Sequence, residues 1–270
     1  MVIKILQIGK YFYPVKGGME NYLYEITNSL KNMYDLSVLV FNIKNTTETE
    51  YVNGIKVIRA ARLCNLFSTP LSTAMLKYIK EFNGDIIHLH LPNPVASMLY
   101  LKAKSKAKLV VSYQYDITKQ KILGILYYPF LHMVLRKADK IIVTAENNLI
   151  YSPTLKKYAT KCVVIPPGIN SKKFEITEEV ISQAQEIRKK YPGKIVLFVG
   201  RLTYYKGVQY LIQASKNQDF TVLLIGSGDE EQNLRKLAKD SLNIHFLTDI
   251  EDLRPYYYAS DVFVLPSIAR

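Results

Sequence analysis

Apolar runs recur along the chain with helical stretches between them. The runs VIKILQIG (2–9), DLSVLVFN (35–42), IKVIRA (55–60), DIIHLH (85–90), KLVVSY (108–113), KIIVTA (140–145) and KCVVIP (161–166) predict strands. A second series follows: KIVLFVG (194–200), FTVLLIG (220–226), NIHFL (243–247) and DVFVLP (261–266). Most are continuous Val/Ile/Leu runs rather than alternating ones, the pattern of parallel strands covered on both faces. Between them, Met19, Tyr22, Leu23, Ile26, Leu30 and Met33 recur at helical spacing. The segments 177–191 and 229–241 carry acids at their starts and bases at their ends, which complements a helix dipole. Strand–helix alternation of this kind predicts an α/β fold with doubly wound parallel sheets. The window ILGILYYPFLHMVL (122–135) is broken by Pro129 and His132 and is read as a buried helix pair rather than a membrane span. Pro166-Pro167-Gly168 marks a seam, so two domains are expected, 1–168 and 169–270, facing each other across a cleft.

Composition narrows the class. About half of the 270 residues are hydrophobic, enough for sizeable cores. Two cysteines, Cys64 and Cys162, lack metal-ligand or disulfide-framework spacing, and a reducing cytoplasm is expected. The short, alternating N-terminal run reads as a first strand and not as a signal peptide. The net charge of +13 sits almost wholly in the first half, where residues 1–165 hold 22 Lys/Arg against 10 Asp/Glu. Lys102, Lys104, Lys106 and Lys108 lead it, with Lys119, Lys121, Arg136, Lys137 and Lys140 beyond. Such a face suits a solvated surface, or peripheral association with an anionic membrane; nucleic acid is not expected.

Three loops carry candidate chemistry. In YFYPVKGGMEN (11–21), Gly17 and Gly18 open a helix and leave bare backbone N–H groups for an anion, although a tight turn without ligand has the same sequence. In FVGRLTYYKG (198–207), Arg201 lies just past a strand and Lys206 at the next helix, a forked and a mobile cation suited to a diphosphate. In LLIGSGDEEQNL (223–234), Gly226 follows a strand, but Asp229, Glu230 and Glu231 oppose phosphate, so a packing or ribose-edge role is preferred.

The stretches PVKGGME, DIIHLH, VSYQYDITKQK, VIPPGINSKKFE, FVGRLTYYKGVQYLIQA, LLIGSGDEEQNL and YYYASDVFVLPS fall in the order and spacing of family 4 retaining glycosyltransferases, the group 1 enzymes of GT-B fold, which the chain resembles along its whole length. The resemblance implies an acceptor-binding first domain and a second domain for the nucleotide sugar. It implies transfer of a hexosyl group with retention, without metal or cofactor, from a UDP-, GDP- or ADP-sugar to a glycan or lipid-linked acceptor. It assigns the donor diphosphate to Arg201 and Lys206, the phosphates or transferred sugar to Gly17 and Gly18, and the nucleobase to the loop at Thr248-Asp249-Ile250, with Ile250 counted among the donor contacts. Gln114 and Asp116 fall in the catalytic stretch, where many relatives have a histidine at the Gln114 position. An amide hydrogen-bonds a hydroxyl but does not change charge near neutral pH. His88 and His90 are further imidazoles near the expected cleft. The chain stops at Arg270, before the glutamate-bearing segment of the family, so a truncated, catalytically degenerate nucleotide- or partner-binding module is the alternative reading.

Overall fold

A computed structural model describes residues 2–15, 17–66, 69–115 and 121–268. Two compact units divide it, Met1–Gly168 and Ile169–Arg270.

The first unit is built on ten strands: β1 (Lys4–Ile8), β2 (Asp35–Phe41), β3 (Glu48–Val52), β4 (Ile55–Ala60), β5 (Cys64–Leu66), β6 (Thr69–Leu71), β7 (Ile86–Leu91), β8 (Lys108–Tyr113), β9 (Lys140–Val143) and β10 (Cys162–Val164). Eight of them form one sheet in the order β10-β9-β8-β7-β1-β2-β4-β3, while β5 and β6 pair alone. All pairings in the large sheet are parallel except that of β3 with β4. Helices cover both faces. Leu23 of α1 (Gly18–Leu30) packs with Phe12, Val38, Val40, Ile55 and Val57 on one side. On the other side, α2 (Met75–Glu81), α3 (Pro94–Ala103) and α4 (Lys121–Lys137) bring Met75, Ile79, Ala96, Tyr100, Leu131, Val134 and Leu135 against Leu6, Ile8, Ile87, Leu89 and Val111. Two-sided cover is the physical reason the strands read as unbroken apolar runs. Two short helices, α5 (Glu146–Tyr151) and α6 (Pro153–Lys156), follow β9.

The second unit repeats the scheme on a smaller scale. Strands β11 (Ile195–Val199), β12 (Thr221–Ile225), β13 (Ile244–Leu247) and β14 (Val262–Phe263) form an all-parallel sheet in the order β13-β12-β11-β14. Helices α8 (Val208–Ser215) and α9 (Glu231–Leu237) bury Val208, Leu211, Ile212 and Leu234 on one face. Ile187 of α7 (Glu178–Lys190) and Tyr256 of α10 (Arg254–Ala259) pack on the other, beside Ile195, Leu197 and Leu223. Thr177 caps α7 by accepting from the Val180 N–H, after which two glutamates occupy its first turn. At the amino end of the sheet the Asp261 carboxylate accepts from the Ile195 N–H at 2.8 Å, from Arg188 at 3.0 Å and from Lys194 at 3.1 Å. That backbone N–H, then the two cations, holds its carboxyl well below the usual range. Asp261 in the DVFVLPS stretch is therefore a clamp on the start of β11.

Three features differ from the sequence expectations. The antiparallel strand β3 is exposed except at its last residue, Val52, and has no apolar run; its signal is Asn53-Gly54, both at positive φ (50° and 81°), the turn chemistry of a two-residue hairpin into β4. The 122–135 window is one helix, α4, which continues through Pro129. It is amphipathic and not buried: Tyr127, Leu131, Val134 and Leu135 face the core while Leu126 and Met133 are exposed. Finally, β14 is two residues long, shorter than the apolar run that announces it.

Candidate active site

In an open parallel sheet, the crevice forms at the carboxyl ends of the two strands from which successive crossovers leave in opposite directions. In the first unit those strands are β1 and β7. A cluster of buried polar residues lies there. Gln7 of β1, His88 and His90 of β7 and Ser112 of β8 are all buried. In register Gln7 pairs with His88, and His90 with Ser112, so the four lie on one face of the sheet. His88 Nε2 meets Ser112 Oγ at 2.8 Å, and His90 Nε2 meets Gln7 Oε1 at 2.9 Å. The two imidazoles lie 4.4 Å apart, and Tyr22 of α1 sets its edge against His90 at 5.8 Å. Burial pushes the His88 pKa down to about 4; burial, then the neighbouring His88, holds His90 well below its ordinary value. Both rings are therefore neutral at pH 7, each one a structural hydrogen-bond partner.

Among the described residues, four buried side-chain atoms of this region have no hydrogen-bond partner: Gln7 Nε2, His90 Nδ1, Asn93 Nδ2 and Gln114 Nε2. Asn93 caps α3, accepting from the Ala96 N–H at 3.3 Å. The sequence signal for this cap is Asn93-Pro94, and for Gln7 it is an amide inside an apolar strand; neither stands out in a reading led by charged residues. Gln114 follows β8, its backbone N–H bonded to the Leu91 carbonyl, and its neighbour Tyr115 donates to Met19 Sδ in the first turn of α1. The loops after β1, β7 and β8 thus converge. Asp116, the other predicted catalytic residue, lies outside the described residues.

Gly17 and Gly18 begin α1, with Gly17 at the N-cap in extended backbone (φ 179°). A Cβ at Gly17 would fall 2.2 Å from Glu20 Oε2, whereas nothing lies within 4 Å of one at Gly18. The space freed at Gly17 is filled by the protein's own carboxylate, as in the second half of a capping box. This departs from the expectation of bare backbone awaiting an anion.

In the second unit the strand order reverses between β11 and β14. The loop between β11 and α8 holds Arg201 and Lys206. Its backbone is tied down: Gly200 N–H bonds Ile225 O, Leu202 N–H bonds Ser227 O and Glu230 N–H bonds Leu202 O. Leu202 is fully buried and anchors the loop, while Arg201 beside it is exposed. A 3-10 turn over Tyr204–Lys206 leads to Gly207, whose positive φ of 69° lets α8 start at once. Neither Arg201 nor Lys206 enters an ion pair among the described residues, and Lys206 Nζ lies 5.6 Å from the centre of the Tyr205 ring. Gly226 serves packing: at φ 139°, its Cβ would fall 2.1 Å from the Gly200 carbonyl oxygen, and one on Gly228 2.2 Å from that of Leu202. A Cβ on Gly207 would collide with the Pro266 carbonyl at 1.9 Å. Three loops therefore pack backbone against backbone. Of the acids that follow, Glu231 is paired with Arg235. Ile250, also at the carboxyl end, packs beside Leu253 and Tyr256. Thr203 Oγ1 is buried in this loop without a partner among the described residues.

The comparisons bear on both units. Residues 16–173, more than half of the chain, match the family model described as Glycosyltransferase Family 4, and residues 193–270 match Glycosyl transferases group 1. The chain belongs to glycosyltransferase family 4. Among relatives in that family, it is 33% identical over 242 residues to the O-antigen chain mannosyltransferase C of Escherichia coli, covering 88% of this chain and 64% of that protein. It is 27% identical over 268 residues to the D-rhamnosyltransferase WbpZ of Pseudomonas aeruginosa, covering 96% and 70%. The chain thus spans about two thirds of the length of the curated relatives it matches. Among solved structures, sucrose-phosphate synthase from Thermosynechococcus elongatus aligns with a TM-score of 0.78 at 18% identity, covering 98% of this chain and 75% of that one. HepE of Anabaena, solved with UDP-glucose, aligns at 0.74 and 17%, covering 99% and 74%. The α/β fold is GT-B-like.

The buried imidazole pair gives the family member a specific acid sensitivity. Because the folded-state His88 value lies below the unfolded value of about 6.5, the unfolded chain takes up protons preferentially once pH falls under 6.5. Stability is then lost down to pH about 4, by roughly 3 kcal/mol from His88 alone. Urea denaturation between pH 7 and 4.5 should show this fall, and a His88→Gln/His90→Gln double variant should show a shallower one. Equal slopes in the two proteins would contradict the assignment of neutral rings.

Proposed function

We propose that the protein is a retaining, metal-independent hexosyltransferase that takes its donor as a nucleoside-diphosphate sugar and glycosylates a glycan or lipid-linked acceptor. One observation carries the reading. Arg201 and Lys206 sit on a rigid loop at the switch point of the second sheet, and no acid of the described residues neutralises them. Two cations carried on a loop whose backbone is already tied down stabilise the charge that grows on the departing phosphate oxygen, and so favour the transition state over the ground state. The relatives support a sugar donor: two are named as a mannosyltransferase and a rhamnosyltransferase, and one structural neighbour was solved with UDP-glucose.

In this reading the second unit holds the donor, with Arg201 and Lys206 on the diphosphate, Gly226 shaping the loop that receives it and Ile250 near the base. The first unit holds the acceptor. Gln114 orients a sugar hydroxyl, Asp116 belongs to the same stretch, and the Glu20 carboxylate beside Gly17 favours a hydroxyl over a phosphate at the Gly17–Gly18 loop. The second reading, a module that binds nucleotide without turnover, is favoured by Gln114 alone, since an amide does not relay a proton. We further propose cytoplasmic, peripheral attachment to an anionic membrane. In its support, Lys102, Lys104, Lys106 and Lys108 are all exposed, α4 shows Leu126 and Met133 on its outer face, and no described helix is long and apolar enough to cross a bilayer.

Calorimetric titration with UDP and GDP should show that Arg201→Ala and Lys206→Ala each weaken binding of the preferred nucleotide by about tenfold or more. Two variants that bind like the parent would remove the phosphate role. Nucleotide release from UDP-, GDP- and ADP-sugars, measured on the parent, separates transfer from simple binding. For the membrane, anionic vesicles should retain the protein at low salt and lose it at high salt, and equal retention on neutral vesicles would remove that idea.

A further inference from the structure

Beside the Gly17–Gly18 loop stands an aromatic ring stacked on one neighbour and otherwise half exposed. Tyr13 is 50% exposed. Its inner face stacks on Tyr24 of α1, with ring centres 5.2 Å apart and planes at 29°. Tyr24 is itself fixed: its hydroxyl accepts from Asn53 Nδ2 at 2.7 Å, and its ring meets the fully buried Phe12 at 5.7 Å. The backbone under Tyr13 is pinned too. Arg59 donates from Nη2 to the Tyr13 carbonyl, and the same guanidinium is bonded through Nε to Glu50 Oε1 at 2.6 Å. The Arg59 side chain is 11% exposed, so this tether is shielded from water. By contrast Tyr51, at 73% exposure, has no ring partner among the described residues.

An exposed aromatic side chain costs solvation and ordinarily keeps its rotamer freedom. For Tyr13 that freedom is limited by one ring stack, on Tyr24, and by the Arg59 tether on its own carbonyl, in the loop that leaves β1. A ring ordered in advance loses little entropy when a ligand covers it. The ligand that fits is flat, partly apolar and hydroxyl-bearing at its rim: a pyranose, whose axial C–H groups make one apolar face. The carboxylate of Glu20, lying at Gly17 in the same loop, accepts from hydroxyls and repels phosphate.

We propose that Tyr13 is a stacking platform for a pyranose ring of the acceptor, and so a specificity-determining residue of the first unit. The choice of an acceptor sugar rests on the transferase reading; the stacking surface itself does not. It selects neutral sugars with an uninterrupted C–H face, and Arg59, Tyr24 and Asn53 act as positioning residues behind it.

Saturation-transfer difference NMR tests this with methyl α-D-mannopyranoside and a linear α-linked mannotriose as probes, in the absence of donor. In the parent, saturation should fall most strongly on C–H protons of one ring face. Tyr13→Ala should weaken binding by about five- to tenfold, and Tyr13→Phe, which keeps the ring, by less than about twofold. Tyr13→Leu, which keeps bulk without a flat face, should behave like Tyr13→Ala and controls for loss of loop structure. UDP and GDP binding should be the same in all of them. The proposal is overturned if neither probe binds the parent, if Tyr13→Ala binds the probes as the parent does, or if the loss falls on nucleotide instead of mannoside. Arg201-dependent nucleotide binding without mannoside binding would leave the transferase reading standing and remove the platform. Tyr13-dependent mannoside binding without nucleotide binding would do the reverse.

Discussion

Parallel strands covered by helices on both faces leave only one place for polar function. Each strand spends its N–H and C=O groups on its neighbours and its side chains on the two cores, so chemistry is pushed to the strand ends. Where crossovers depart in opposite directions, no helix lies over the gap between two adjacent strands. The first unit obeys this constraint at β1/β7, and in the second the strand order reverses between β11 and β14. Gln7, His88, His90 and Gln114 gather at the first switch point and Arg201 with Lys206 at the second, with the rest of each sheet as scaffold.

The two switch points differ in electrostatic character. The first is neutral and rich in amides, its imidazoles discharged by burial, with a carboxylate over the α1 N-cap. The second offers an exposed guanidinium and an ammonium, and its three glycines let neighbouring loops touch backbone to backbone. A loop clamped this way can carry unneutralised cations without collapsing on a nearby acid. Positive charge kept free of acids on a clamped loop is what a diphosphate leaving group needs as the bond breaks. The neutral first site suits a hydroxyl nucleophile.

Much of the scaffold was legible in the sequence because two-sided burial writes itself as continuous apolar runs; β1, β2, β7, β8, β11 and β12 all lie within stretches that pattern alone marks. The strand β3 was not, since it is an exposed edge whose only mark is the Asn53-Gly54 turn. The α4 segment was misjudged as a buried pair because Pro129 breaks the pattern on paper, yet a helix tolerates one missing N–H when a buried stripe holds it. Of the site, Arg201 and Lys206 stood out because charge after an apolar run is conspicuous. Gln7, Asn93 and the Tyr13–Tyr24 stack did not, since their meaning depends on partners 11 to 83 residues away or on a partner that is missing, which a one-dimensional pattern does not contain.

The central claim is that the loop of residues 200–207 receives the diphosphate of a sugar nucleotide. Amide hydrogen exchange with and without saturating GDP or UDP reads that loop directly, free of any substitution. The account predicts slowed exchange over residues 200–207 and over the 226–228 loop packed against it. Tight nucleotide binding with those amides unchanged, and protection confined to other parts of the chain, would contradict it.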